Sequence, residues 1–160
     1  MASTELTKTQ EILFAPDGSN FMEQIELLEN LMINSGSPDI IVGDSKELPL
    51  THSFSDGIYI REIFIPKGMF VIGKIHILHH TFFLMKGILR MFTKDGVEEI
   101  EAPYYGNATA GTKRVFVALE DSIFVNVHPN PTNIQEIDKL EDMFVVSSYK
   151  EYDNFKLLNK

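Results

Sequence analysis

Residues 73–87 read GKIHILHHTFFLMKG, and three of the chain's five histidines fall here, at His76, His79 and His80. In an extended segment side chains alternate, so Lys74, His76, Leu78, His80 and Phe82 share one face, and His79 points the other way beside Ile77, Thr81 and Phe83. Both faces of the wider segment 69–85 are apolar. A strand with one face in water would alternate with polar residues. The outer face is therefore expected to be covered, by a helix at 21–33 or by a second subunit. Met69, Phe70 and Phe92 add to this surplus, and the expectation is a homo-oligomer, most simply a dimer.

Working outward, short runs of Ile, Val, Phe and Tyr alternate from residue 37 with Gly, Pro, Asp and Asn every eight to twelve residues, the texture of an all-β sandwich or barrel. The runs predict strands at 57–65, 69–77, 79–85, 88–93, 97–102, 113–119 and 122–128. Thr93-Lys-Asp-Gly96 is a hairpin signal; Pro66-Lys-Gly68 and Glu120-Asp-Ser122 are further turns. Gly106–Gly111 lacks the context of a phosphate-binding loop and reads as an edge turn. Val97-Glu-Glu-Ile-Glu101 reads as a solvated edge whose charges block unwanted pairing.

The ends are helical. Residues 1–18 have no clear period and close in the turn-like Pro16-Asp17-Gly18. Asn20 and Glu23 have capping-box spacing, and Phe21, Ile25, Leu28, Leu31 and Met32 recur at helical spacing over 21–33, up to the stop at Asn34-Ser-Gly36. Asn133 and Glu136 form a second box before the stripe Ile137, Leu140, Phe144. Ser147 or Ser148 caps a last short helix with Tyr149, Tyr152 and Phe155. The economical division is an N-terminal extension over 1–46, a β domain over 47–130 and a C-terminal helical extension over 131–160.

Composition narrows the functions. In 160 residues, 14 Lys+Arg against 23 Asp+Glu leave a formal charge of −9, which repels phosphate backbones and argues against nucleic acid. With no cysteine, disulfides and thiolate metal sites are excluded, and a metal must be held by imidazole or oxygen. No secretory leader and no membrane-spanning run is legible, so the chain reads as soluble, inside a cell or a particle assembled there.

Two imidazoles four apart on a straight strand lie roughly 13 Å apart, too far to share an ion that needs nitrogen within about 2 Å. A common site requires a bend between Ile77 and His79. Without one, His76 and His80 are core histidines bonded to backbone or to each other. His128 ends another alternating strand, Ile123–Val127. Together His76, His80 and His128 have the makings of a three-ligand site with an open position, for a divalent first-row ion such as Zn, Fe, Mn or Ni. Tyr59, Arg61, Lys74 and Arg114 are candidates for the same pocket, where the cations would favour a carboxylate or phosphate. Against this, Arg61 has a simpler role in an ion pair and Arg114 in covering the end of the fold. No nucleophile motif appears.

Ser53-Phe-Ser-Asp-Gly-Ile-Tyr-Ile-Arg-Glu62, Ile65-Pro-Lys-Gly68, Gly73-Lys-Ile-His76 with His80 and Gly87, then Pro103, Gly111-Thr-Lys-Arg114 and His128 together resemble a cupin. More narrowly, they resemble the short single-domain cupin-like proteins encoded by tailed bacteriophages, over about residues 47–145. The resemblance implies a mainly β chain, a single jelly-roll barrel with an N-terminal helix and one or two short C-terminal helices, usually oligomeric. In the cupin pattern His76 occupies the second histidine position and His80 the glutamate position. Lys74 stands in the first histidine position and Arg114 in the last. Two of four ligand slots thus hold basic side chains that cannot ligate while charged.

That substitution favours a non-catalytic, phage-type binding or virion-associated structural module, in host cytoplasm or virion, packing with itself or with other virion proteins. The alternative is a metal-dependent isomerase, lyase or dioxygenase acting on a small anionic molecule. A further alternative is a protein that captures a small metabolite or nucleotide signal without chemistry.

Overall fold

Ten short strands sort into two five-stranded sheets, because each has one face apolar enough to need a partner layer. The computed structural model describes residues 21–42, 50–93 and 96–159. The expected turn at 16–18, the Asn20 cap and the hairpin residues Lys94 and Asp95 lie outside them. In chain order the elements are α1 (Phe21–Ser35), β1 (Ile40–Val42), β2 (Leu50–Ser55), β3 (Ile58–Ile65), β4 (Phe70–Ile72), β5 (Ile75–His76) and β6 (His80–Lys86). They continue with β7 (Ile88–Thr93), β8 (Gly96–Glu101), β9 (Tyr104–Ala108), β10 (Val115–Ala118), β11 (Ser122–Pro129), α2 (Ile137–Phe144), β12 (Val145–Val146) and α3 (Tyr149–Leu158).

Sheet I runs β1-β4-β10-β7-β8 and sheet II runs β2-β3-β11-β6-β9; β5 and β12 form a separate two-stranded ladder. Between the two sheets lie Ile63, Ile65, Phe82, Leu84 and Phe124 of sheet II and Val71, Leu89, Met91, Ile100 and Phe116 of sheet I. The expected closed jelly-roll barrel is not what forms. Among the described residues no strand of one sheet pairs with a strand of the other, and the arrangement is an open sandwich. The edge chemistry explains this. Glu98 lies opposite the inward-facing Met91 in the β7–β8 ladder, and Tyr104 Oη donates to its carboxylate at 3.3 Å. A carboxylate on the inner side of an edge strand needs water and resists pairing there.

Helix α1 buries Phe21, Ile25, Leu28 and Met32 on Phe70, Ile72, Phe92 and Val115, the outer face of sheet I. Glu29 pins it by accepting from the buried Lys113 ammonium at 2.6 Å. The cover expected for segment 69–85 thus lies over β4 alone. On the outer face of sheet II, Ile58, Phe64, Met85 and Tyr105 stay exposed. The sandwich is mainly β with flanking helices, and no helix of the described residues is long and apolar enough to cross a membrane.

At the C-terminal end, α2 packs Leu140 and Phe144 with Val145 against Tyr59. The box expected at Asn133 is used differently. Asn133 takes φ +52°, accepts from Gly57 N–H at 2.8 Å and donates to Asp56 at 2.9 Å, tying the β2–β3 turn. Helix α2 begins later, after Glu136, with no side-chain cap. For α3 the cap is Ser148, in a complete capping box with Glu151.

Candidate metal centre

The segment that decides the site is broken where the histidines need it to be. His76 N–H donates to Thr112 O at 3.1 Å and Ile77 N–H to Phe144 O at 2.9 Å, so β5 is held by the loop before β10 and by the end of α2. Ladder pairing then lapses until His80 opens β6. Across that break the His76 and His80 rings stack with centroids 4.1 Å apart. His128, from β11, completes the group at 5.4 Å from His76 and 4.8 Å from His80. His79 is exposed and takes no part.

The three imidazoles form a cluster able to hold a divalent metal ion, with one ligand atom each and all of those atoms within 4.8 Å of one another. With bonds of about 2.1 Å at tetrahedral angles, ligating nitrogens sit about 3.4 Å apart, so the most distant pair, at up to 4.8 Å, has to close by about 1.4 Å. The donor chemistry fits. His76 Nδ1, His80 Nε2 and His128 Nδ1 are buried with no hydrogen-bond partner. Such orphaned atoms are rare in folded proteins and cost about 1–3 kcal/mol each unless something binds them. His80 Nδ1 lies 3.3 Å from Leu78 O, and since a carbonyl only accepts, Nδ1 carries the proton and Nε2 the lone pair. A bond of this kind would orient the His80 imidazole for ligation through Nε2.

Burial keeps the rings neutral, the form that ligates. It lowers His80 to about 4, against the pull of the Leu78 hydrogen bond, and His128 to about 3, where the nearby His80 and Arg61 also contribute. His76 is held well below its usual range by burial first, then by His80, His128 and the arginines Arg114 and Arg61. One flank is dry and aromatic: His128 stacks on Phe144 at 4.6 Å and on Tyr59 at 5.9 Å.

The other flank is cationic. A cleft of about 70 Å³ beside His76 is lined by Arg61, Lys74, Arg114 and Asn126, whose Oδ1 is also buried and unpartnered. Arg61 and Lys74 share Glu141 of α2, at 3.3 and 3.6 Å. Arg114 instead lies 4.4 Å over the Phe82 ring. Tyr59 does not line the cleft; its hydroxyl lies 2.8 Å from His52 Nδ1. Asn126 and Glu141 were not anticipated from sequence. Asn126 had a signal, as a polar residue between Phe124 and His128 on the inward face of β11. Glu141 had none, being one acid among several on a short helix.

The expectation of a decayed, non-catalytic site is overturned by this cluster. Slot counting put Lys74 and Arg114 where ligands should be, but ligation is a matter of space, and His128 supplies the third imidazole from another strand.

No protein-family model matches the chain, and no curated protein is similar to it at a significant level. Solved structures similar to it include KdgF from Halomonas sp., at TM-score 0.46 and 13% identity over 54% of this chain and 83% of that one. An acetylacetone dioxygenase from Acinetobacter johnsonii overlaps at TM-score 0.41 and 22% identity, over 51% of this chain and 58% of that one. A cupin 2 conserved barrel domain protein from Salinispora arenicola overlaps at TM-score 0.47 and 10% identity, over 59% and 86%. Nothing in these likenesses supports the expected phage or virion role.

Proposed function

We propose that the chain is a metal-dependent enzyme acting on a small anionic molecule. The observation that carries this reading is the convergence of three imidazoles, His80 and His128 buried and His76 half-buried, each with a buried and orphaned ring nitrogen, beside a cleft lined by cations. His76, His80 and His128 would hold the ion and leave a position open. A divalent ion bound there supplies Lewis acidity or oxygen activation. Arg61 and Lys74, oriented by Glu141, draw a carboxylate or phosphate toward His76, and Asn126 offers an amide to orient it. Tyr59 and Phe144 keep water from the far side of His128.

The test loads purified protein with Zn, Fe, Mn or Ni in turn and screens small carboxylates and sugar phosphates for isomerisation, elimination and oxygen uptake. Turnover that needs the ion and disappears in His76→Ala and His128→Ala is the expected result. Failure of the folded protein to retain any of the four ions would overturn the reading.

We also propose that the chain self-associates through the outer face of sheet II. Ile58, Phe64, Met85 and Tyr105 support this, as an apolar patch on a face that no described helix covers.

A further inference from the structure

Arg114 is 8% exposed, and among the described residues no carboxylate lies in ion-pair range of it. Its neighbours Lys113 and Lys156 are each matched, by Glu29 at 2.6 Å and Asp153 at 2.7 Å. Contact with the Phe82 ring eases the burial of a guanidinium but does not neutralise it. Besides the cleft at His76, Arg114 lines a cavity of about 800 Å³ at the open side of the sandwich, where β9 and the loop 109–113 meet α1 and α3. That volume lies within the usual range for small-molecule sites.

One part of the wall is aromatic, and Glu23, Asp153, Lys113 and Lys156 also line the cavity. Tyr104, Tyr149 and Tyr152 line the cavity together with Phe82 and Met91. Tyr104 and Phe82 stack with centroids 6.2 Å apart. Tyr152 is seated so tightly on Gly111 that a Cβ there would come within 2.7 Å of its ring, which fixes α3 as a wall. None of His76, His80 and His128 lines this space.

We propose that this cavity is a second binding site, for a planar aromatic carboxylate. The carboxylate sits on the Arg114 guanidinium and the flat body packs among Tyr104, Tyr149 and Tyr152. A guanidinium fork with no carboxylate partner among the described residues selects a carboxylate over a neutral group, and tyrosine faces favour a flat ring over a branched aliphatic chain. The site needs no metal, because the metal-free protein has every group it uses; of its lining only Arg114 is shared with the cleft at His76.

The experiment titrates metal-free protein with benzoate, indole-3-acetate and 2-naphthoate, and with 2-naphthamide as the neutral match, by calorimetry and by amide chemical shifts. At least one carboxylate is expected to saturate below about 1 mM, and 2-naphthoate to bind about tenfold or more tighter than its amide. Shifts should concentrate at 104–114 and 149–156. Arg114→Met should abolish the preference for the charged form. Should that variant fail to fold, the acid-against-amide comparison on the unaltered protein still decides. The proposal is overturned by equal affinity for acid and amide, by no saturable binding of the three carboxylates, or by shifts centred elsewhere. Carboxylate binding that persists in His76→Ala while metal retention is lost separates this site from the histidine centre.

Discussion

His76 and His80, four residues apart in sequence, stack with ring centroids 4.1 Å apart because the chain leaves the ladder between them. Continuous pairing would hold the same two rings roughly 13 Å apart. The break therefore creates the site, and Thr112 and Phe144, whose carbonyls hold His76 and Ile77 from either side, keep it in place.

From that geometry follows a first prediction. Equilibrium dialysis against Zn or Co should give one ion per chain, and His76→Ala or His128→Ala should weaken retention by about 100-fold or more. At a hundred times Kd the ion should add about 2.7 kcal/mol, a rise of about 5–10 °C in Tm for a domain of this size. Equal retention by the unaltered protein and both variants would place the ion elsewhere.

The metal-free protein should lose stability as pH falls through 6.5. The folded chain keeps His80 near about 4 and His128 near about 3, and His76 well below 6.5, whereas the unfolded chain titrates near 6.5. Below 6.5 the unfolded state thus binds more protons, and each histidine adds a slope approaching about 1.4 kcal/mol per pH unit. Between pH 6.5 and 5 most carboxylates are still ionised, so urea midpoints in that window report mainly imidazoles. A midpoint that stays flat there rules out buried neutral histidines; His128→Gln should shallow the slope.

Much of the sandwich was legible because buried and more exposed positions largely alternate, although Val125 is buried between Phe124 and Asn126. In β3, Tyr59, Ile63 and Ile65 are buried, and in β11, Phe124, Asn126 and His128. The reading failed where a strand's chemistry is local rather than periodic. Tyr104–Ala108 contains Gly and Asn, poor strand formers, so its Gly106-Asn-Ala part reads as the start of a turn. It is a strand because Gly106 faces Phe82 across the ladder, where a Cβ would come within 2.6 Å of the ring. Leu50–Ser55 was missed because an edge strand needs little apolar surface. Segment 69–77 was read as one strand because apolar composition does not mark Gly73 and Lys74 as the gap between β4 and β5. Barrel closure depends on which edges meet, and that is not written in any single strand. The metal candidates were legible as residue types; their convergence depended on the break at 77–79.

Glu141→Gln should weaken both the fold and the site. One carboxylate holds Arg61 and Lys74, whose side chains are only 14% and 19% exposed. Removing its charge weakens the pairing of two poorly hydrated cations near His76, for an expected loss of about 1–3 kcal/mol in urea unfolding. Added positive potential should also lower affinity for a divalent ion, more at low salt than at high. Unchanged affinity at low salt would mean that Glu141 does not set the potential at the histidines.

The outer face of sheet II gives a prediction about assembly. Met85 and Tyr105 are 62% and 72% exposed, and Phe83, directly opposite Tyr105 in the β6–β9 ladder, packs its ring 6.2 Å from it. Light scattering on a sizing column should find a dimer or larger, and Met85→Lys with Tyr105→Lys should release monomer without a loss of Tm beyond a few degrees. A monomeric unaltered protein at about 100 μM would leave this face without a self-partner.

Gly87 should be the least replaceable glycine of the sandwich. It sits between β6 and β7, where the chain passes from sheet II to sheet I, at φ +87°. A Cβ there would lie 2.3 Å from Ser122 Oγ, 2.5 Å from Asp121 O and 2.8 Å from Ser122 Cα. Two of those three atoms are backbone, so no side-chain rotation relieves the clash. The conformation alone costs an alanine about 1–2 kcal/mol, and overpacking adds about 1–3 kcal/mol. Gly87→Ala should therefore lower unfolding free energy by about 2–5 kcal/mol, whereas Gly57→Ala, also at positive φ but with nothing within 4 Å of its Cβ, should lose only the conformational part. Equal losses at the two positions would show that the crossover is not packed as tightly as the Ser122 contacts require.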